Sequence, residues 1–117
     1  MRASNAVWLA WFAFLARLAA QTPPTGRQVF EKRCAGCHDL DRDKEGPHLR
    51  GVVGRSAAAV PGFPYSDALK KSGIHWTDVL IDRWLAGPDQ LVPGTDMEFH
   101  VEKAAERKAI VDYLKQR

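Results

Sequence analysis

The sequence predicts an all-α domain with long loops. Apolar side chains recur at helical intervals in four separate segments, and no stretch alternates with the period of two that a half-buried strand shows. Between the first and second segments lies an irregular run, residues 39–65, punctuated by Gly46, Pro47, Gly51, Gly54, Pro61, Gly62 and Pro64. A structureless stretch of this length is unusual in a compact domain unless it wraps a large rigid object.

The first helix is expected over residues 25–35. Thr25 and Gln28 have capping-box spacing, and Gly26, Val29, Phe30, Arg33 and Cys34 then follow at helical intervals. The second spans residues 66–73, with Ser66 as N-cap and Gly73 as the stop. The third spans residues 77–87. Thr77 caps it, Leu80, Ile81, Trp84 and Leu85 mark one face, and Gly87-Pro88 ends it. "QLVPGTDMEF" then reads as a turn-rich loop. Residues 102–115 form the fourth helix, amphipathic through Ala105 or Ala109, Ile110, Tyr113 and Leu114.

Residues 1–20 do not fit this domain. Met1-Arg2 gives a positive start, residues 6–16 are an apolar run of 11, and small residues surround Ala20. That is the layout of a secretory signal peptide cleaved near Ala20, and the run is far shorter than the roughly 20 residues of a membrane span. The alternatives are a retained N-terminal anchor or a buried helix. The expected mature domain is therefore residues 21–117, exported to the periplasm, with no stable membrane insertion after cleavage.

Export changes the charge balance. Of the 17 Lys and Arg residues, Arg2 and Arg17 belong to the signal, which leaves 15 against 14 acids and a formal charge of +1. A near-neutral mature chain is not a nucleic-acid binder. Its 97 residues are also too few to build a large core: below about 100 residues a domain often relies on disulfides, a metal or a bound group.

The two cysteines, Cys34 and Cys37, stand in "CAGCH" with His38 beside them. A structural zinc site needs four ligands, commonly a second such pair or two spaced histidines, and His38, His48, His75 and His100 lack that spacing. A thioredoxin-like dithiol sits at a helix start after a strand, whereas this pair falls at a helix end. Cys-x-x-Cys-His is the attachment signature of c-type haem. Two thiols three positions apart reach two vinyl groups on one porphyrin edge, and the next residue presents an imidazole to the iron. The candidate cofactor is one haem c, covalent through Cys34 and Cys37, with His38 as an iron ligand. For the second ligand, Met97 lies in a turn made by Pro93 and Gly94 and not on a helical core face; His48, His75 and His100 are its rivals.

Taken together these residues resemble class I cytochrome c, of the mitochondrial and bacterial c2 type. "CAGCH" matches the attachment motif. "GPHLRGVVGR", "PGFPYSDALKKSGIHW" and "VPGTDMEF" follow in the order of that family's motifs, and Gly26 and Phe30 with Tyr113 and Leu114 match its crossing of terminal helices. The resemblance implies the cytochrome c fold, about four helices and long loops wrapped around one haem. It implies His38 and Met97 as iron ligands, and Pro47 as the carbonyl that fixes the His38 ring. It implies Arg55, Tyr65, Trp76 and Thr95 as partners of the haem propionates. Val52, Phe63, Leu80, Leu85, Val92 and Phe99 are the expected apolar cover.

Some residues depart from the family pattern. Leu69 replaces an asparagine near the propionates. Trp84 stands where a tyrosine commonly hydrogen-bonds the methionine sulfur. Asp89, Gln90 and Asp96 replace lysines that ring the haem edge in mitochondrial members, which weakens the case for an acidic partner docking there. The function implied is single-electron transport, not enzymatic catalysis, by a monomer whose partners are redox-protein donors and acceptors. The alternatives are a haem subunit of a periplasmic dehydrogenase complex, or a haem enzyme or sensor with an open distal site.

Overall fold

A computed structural model describes residues 22–117. The signal expected over residues 1–20 lies outside the described residues. Among the described residues there are five helices: α1 (Gly26–Arg33), α2 (Asp67–Lys71), α3 (Asp78–Ala86), α4 (Pro88–Leu91) and α5 (Ala104–Lys115). Among the described residues there is no strand, only one isolated bridge between Ser56 and His75. No described helix is long and apolar enough to cross a membrane.

Local chemistry starts three of these helices as expected. Thr25 Oγ1 accepts from the Gln28 amide at 3.2 Å while Gln28 Oε1 accepts from the Thr25 amide at 2.9 Å, a complete capping box. Ser66 Oγ accepts from the Leu69 amide at 3.1 Å at the start of α2, and Thr77 Oγ1 from the Leu80 amide at 3.2 Å at the start of α3. The difference is α4. Pro88 was expected only to end the preceding helix, yet it also starts a new turn. It occupies the first helical position, where a missing N–H costs nothing because that amide has no intrahelical partner.

The core lies where α1 crosses α5 and α5 packs on α3. Val29 and Phe30 of α1, Ile81, Trp84 and Leu85 of α3, and Ile110, Val111 and Leu114 of α5 are all buried. Phe30 meets Tyr113 with ring centroids 5.3 Å apart. The crossing is close enough to require glycine: a Cβ on Gly26 would lie 2.7 Å from the Ala109 carbonyl oxygen and 2.8 Å from Tyr113 Cβ. Charged groups fix the same geometry from outside. Arg33 forks onto Glu106 with bonds of 2.8 and 3.0 Å, joining α1 to α5. Arg107 to Asp82 at 2.9 Å and Lys115 to Asp78 at 2.7 Å join α5 to α3.

The long loop, residues 39–65, is irregular but its backbone is well bonded. The Leu49 amide donates to Asp39 O at 3.1 Å and the Arg50 amide to Leu40 O at 2.9 Å. The Gly54 amide donates to Trp76 O at 2.7 Å, the Trp76 amide to Arg55 O at 2.9 Å, and the Ala57 amide to Ile74 O at 2.8 Å. The first two bonds close the loop on itself, the last three lay it along the segment before α3, and all satisfy groups that burial would otherwise penalise.

Two outcomes test this packing. Gly26→Ala overpacks the α1–α5 crossing and should lower unfolding free energy by about 1–3 kcal/mol, read as a reduced denaturant midpoint with haem still attached. The Arg33 guanidinium holds the Glu106 carboxyl below its ordinary value. A carboxyl depressed in the folded state contributes stability above its unfolded pKa and loses it as pH falls through the lower folded value. Stability measured from about pH 6 to about pH 3 should therefore drop with acidification, and Glu106→Gln should flatten that slope while lowering stability at the upper end.

Candidate haem site

The loop, α2, α3, α5 and the turn after α1 enclose a cavity of about 800 Å³. All nine residues singled out from the sequence line it: Cys34, Cys37, His38, Pro47, Arg55, Tyr65, Trp76, Thr95 and Met97. The structure thus gathers residues spread from position 34 to position 97 around one space.

The "CAGCH" segment continues α1 by one turn. Cys34 is the C-cap, its amide bonded to Phe30 O at 2.8 Å, and the Cys37 and His38 amides both return to Cys34 O, at 3.2 and 2.9 Å. This bent end keeps the two thiols on neighbouring turns. They are free and not paired in a disulfide. Burial first, and the neighbouring Cys37 second, push the Cys34 thiol up to about 11. Cys37 is raised too, chiefly by its contact with Glu45, whose Oε2 lies 3.4 Å from Sγ. A redox dithiol needs a thiol with a lowered pKa, and both shifts here run the other way. Nor is there, among the described residues, any group of three or more His, Cys, Asp or Glu side chains placed to hold a metal ion.

His38 Nδ1 lies 2.8 Å from the Pro47 carbonyl oxygen. A carbonyl only accepts, so Nδ1 carries the proton and Nε2 keeps its lone pair. Burial lowers the His38 pKa, partly offset by that carbonyl and reinforced by the charge of Lys44, so the ring is held in its neutral, ligating form. Gly46 completes the clamp. A Cβ there would lie 2.6 Å from both ring nitrogens and overlap Cε1. The sequence marked Gly46 only as a loop breaker, because the ring that it touches arrives from eight residues away. Lys44 Nζ donates to Ala35 O at 2.9 Å and ties the same loop to the cysteine turn.

On the other segment, the Thr95 amide returns to Val92 O at 3.1 Å and closes the turn through Pro93 and Gly94. This turn leads to Met97, whose Sδ accepts a hydrogen bond from Trp84 Nε1 at 3.2 Å. Arg55 donates to the His48 and Arg50 carbonyls at 3.0 and 3.3 Å. Tyr65 Oη accepts from the Val60 amide, 3.1 Å away, and so keeps its own proton to give. Trp76 is buried and lines the cavity.

The apolar cover differs in detail from expectation. Val52, Phe63, Leu85 and Phe99 line the cavity, but Leu80 and Val92 do not; Leu69, Ile81, Ile110 and Leu114 do. In α3 the inward face runs through Ile81, Trp84 and Leu85, which rotates Leu80 to the flank. Val92 is 5% exposed yet packs into the core beside the cavity. Leu69, the aliphatic substitute for an asparagine, joins the buried cluster. Asp89, Gln90 and Asp96 are exposed.

The residues fit a haem. Two reduced thiols stand at the mouth of an apolar cavity, a neutral imidazole with a free Nε2 follows them, and a thioether lines the same space. An all-α fold with such a site defines a haem-binding electron carrier. Comparisons bear on which one. The family model for cytochrome c matches residues 24–117. Cytochrome c type-1 of Ascaris suum is 41% identical over 95 residues, covering 79% of this chain and 85% of that protein. Cytochrome c2 of Blastochloris viridis is 39% identical over 108 residues, covering 89% and 84%. The structure of cytochrome cH from Methylobacterium extorquens superposes with a TM-score of 0.74 at 38% identity, covering 79% of this chain and 95% of that one. The chain belongs to the cytochrome c family. It has the cytochrome c fold, its cofactor is covalently bound haem c, and it is an electron-carrier haem protein.

The clamp on His38 makes a contrast with Gly26 that can be measured. Gly46→Ala should displace the imidazole and reduce the yield of haem-loaded protein with a low-spin spectrum. Gly26→Ala should leave that spectrum unchanged.

Proposed function

We propose that the chain is a periplasmic single-electron carrier in which His38 and Met97 ligate the iron of one haem c. The observation that carries this is the pairing of two prepared neutral donors on one cavity: His38, with its proton committed to Pro47 O at 2.8 Å, and Met97, with its sulfur 3.2 Å from the Trp84 indole nitrogen. When bound, haem c supplies an iron that takes up and releases one electron.

The chain's residues then do three things. Cys34 and Cys37 hold the group covalently. His38 and Met97, both uncharged, favour ferrous over ferric iron, the effect by which Met/His ligation raises the potential in cytochromes c. The apolar lining excludes water and penalises the extra charge of the oxidised state. Pro47 and Gly46 keep the imidazole from turning, so that little rearrangement accompanies each electron. Arg55, Tyr65, Trp76 and Thr95 are the proposed propionate partners; their shared place on the cavity wall and the available Tyr65 proton support that role.

A thioether committed to iron leaves no open position for a substrate, so the proposed protein is a carrier and not a peroxidase-like enzyme. It acts as a monomer between redox-protein donors and acceptors. The apolar run at residues 6–16 and the similarity to a bacterial cytochrome c2 support export to the periplasm.

Optical redox titration of the exported holoprotein tests this directly. The expected result is a positive potential, the weak red-edge band of iron–sulfur coordination in the oxidised form, and no carbon monoxide adduct of the reduced form near neutral pH. Met97→Ala should keep the haem attached, abolish that band and lower the potential. A carbon monoxide adduct in the unaltered protein would overturn the assignment.

A further inference from the structure

We infer that the cavity lip around Phe99 is a docking surface for a basic redox protein, one that presents lysine and arginine side chains around an apolar centre. This rests on the reading of the chain as an electron carrier and names the chemistry of its partner.

Two independent observations carry it. The first is an exposed apolar ring. Among the described residues Val79 and Phe99 are the large hydrophobic side chains left exposed, Phe99 at 47%. Val79 does not line the cavity, whereas Phe99 does, so one ring meets both the cavity and the solvent. Covering that ring removes apolar surface from water, and aromatic side chains are the type that protein interfaces favour at their centre.

The second is a separation of charge. Residues 84–102 contain Asp89, Asp96, Glu98 and Glu102 and no lysine or arginine, so every cation of residues 22–117 lies elsewhere. All four acids are exposed. Asp96 and Glu98 flank Met97 in sequence and line the cavity with Phe99. Other acids are taken up by ion pairs, as Glu106 is by Arg33 and Asp82 by Arg107. No ion pair among the described residues engages Asp89, Asp96 or Glu98, and Glu102 meets only His100, at 3.6 Å.

Charge complementarity selects the occupant. An acidic protein or an anionic membrane would bring like charges together here. A metal ion finds no site, since among the described residues no three His, Cys, Asp or Glu side chains gather to hold one. A basic protein surface answers both features: its cations pair with the free carboxylates and its apolar centre covers Phe99. Rim charges of this kind set encounter rate and orientation more than affinity, which suits a carrier that must bind and then leave.

The test follows oxidation of the reduced holoprotein by stopped flow, using two small oxidants of opposite charge. The tris(phenanthroline)cobalt(III) cation and the ferricyanide anion each take one electron from ferrous iron and leave it ferric. The rate with the cation should fall roughly three- to tenfold between about 0.01 M and about 0.15 M salt, and the rate with the anion should rise. Asp96→Lys with Glu98→Lys should reverse both trends. Glu31→Lys with Asp112→Lys changes the net charge equally at exposed positions outside the cavity lining, and should reverse neither. The partner class is read by NMR titration of the unaltered holoprotein with poly-lysine, whose shifts should gather at Asp96, Glu98 and Phe99; Phe99→Ser should weaken that complex. Opposite salt trends in the unaltered protein, or poly-lysine shifts centred on another face, would overturn the inference and leave the carrier reading standing. A dimer in sedimentation at low salt, with shifts at the same residues, would give the surface to a second copy and overturn the basic partner. If neither oxidant oxidises the reduced holoprotein at any salt, the carrier reading itself falls and takes the inference with it.

Discussion

The structure depends on an apolar cavity that its own side chains surround but are too few to fill. Val52, Leu69, Ile81, Leu85, Ile110 and Leu114 turn inward upon about 800 Å³. A domain of this size has little other core, and an apolar space of that volume is stabilising only when apolar surface occupies it. Covalently bound haem c is that surface. The fold is accordingly a cover for a flat rigid object. Residues 39–65 can be long and irregular because they close over it, and their backbone hydrogen bonds run both within the loop and to the segment before α3.

The same constraint explains why the terminal helices meet so tightly. α1 carries the cysteine turn, so its packing on α5 anchors that turn beside the cavity. Gly26 allows the approach, and the fork between Arg33 and Glu106 holds the register from the surface. Surface pairs contribute little stability one by one. Their value here is alignment, since the pair begins one residue before Cys34.

The site divides its labour between rigidity and charge. His38 is prepared by a carbonyl on one side and by a glycine that leaves no spare room on the other. Met97 is prepared by a turn and an indole. The two differ in kind: the first fixes a tautomer, the second holds a thioether by a hydrogen bond to its sulfur. Both act through neutral groups.

Much of this was legible in the sequence because it is local. The caps at Thr25, Ser66 and Thr77 act over three residues, and the cysteine turn and the Pro93-Gly94 turn over four. The collinear motifs also named nine residues that prove to line one cavity. α4 escaped notice because Pro88 signals both the end of one helix and the start of another, and a four-residue helix has no periodicity to detect. Which residues face the cavity also escaped. Leu80 and Val92 have the right chemistry, but helix rotation and loop path decided for Ile81, Ile110 and Leu114. Gly46 looked like punctuation until the His38 ring lay against it, and Trp84 had to be seen beside Met97 to become a donor. Sequence by itself determined the helices, the turns and the order of the chemical groups, since neighbours along the chain set these. Tertiary structure alone decided contacts between residues far apart along the chain, because those distances follow from how rigid helices cross.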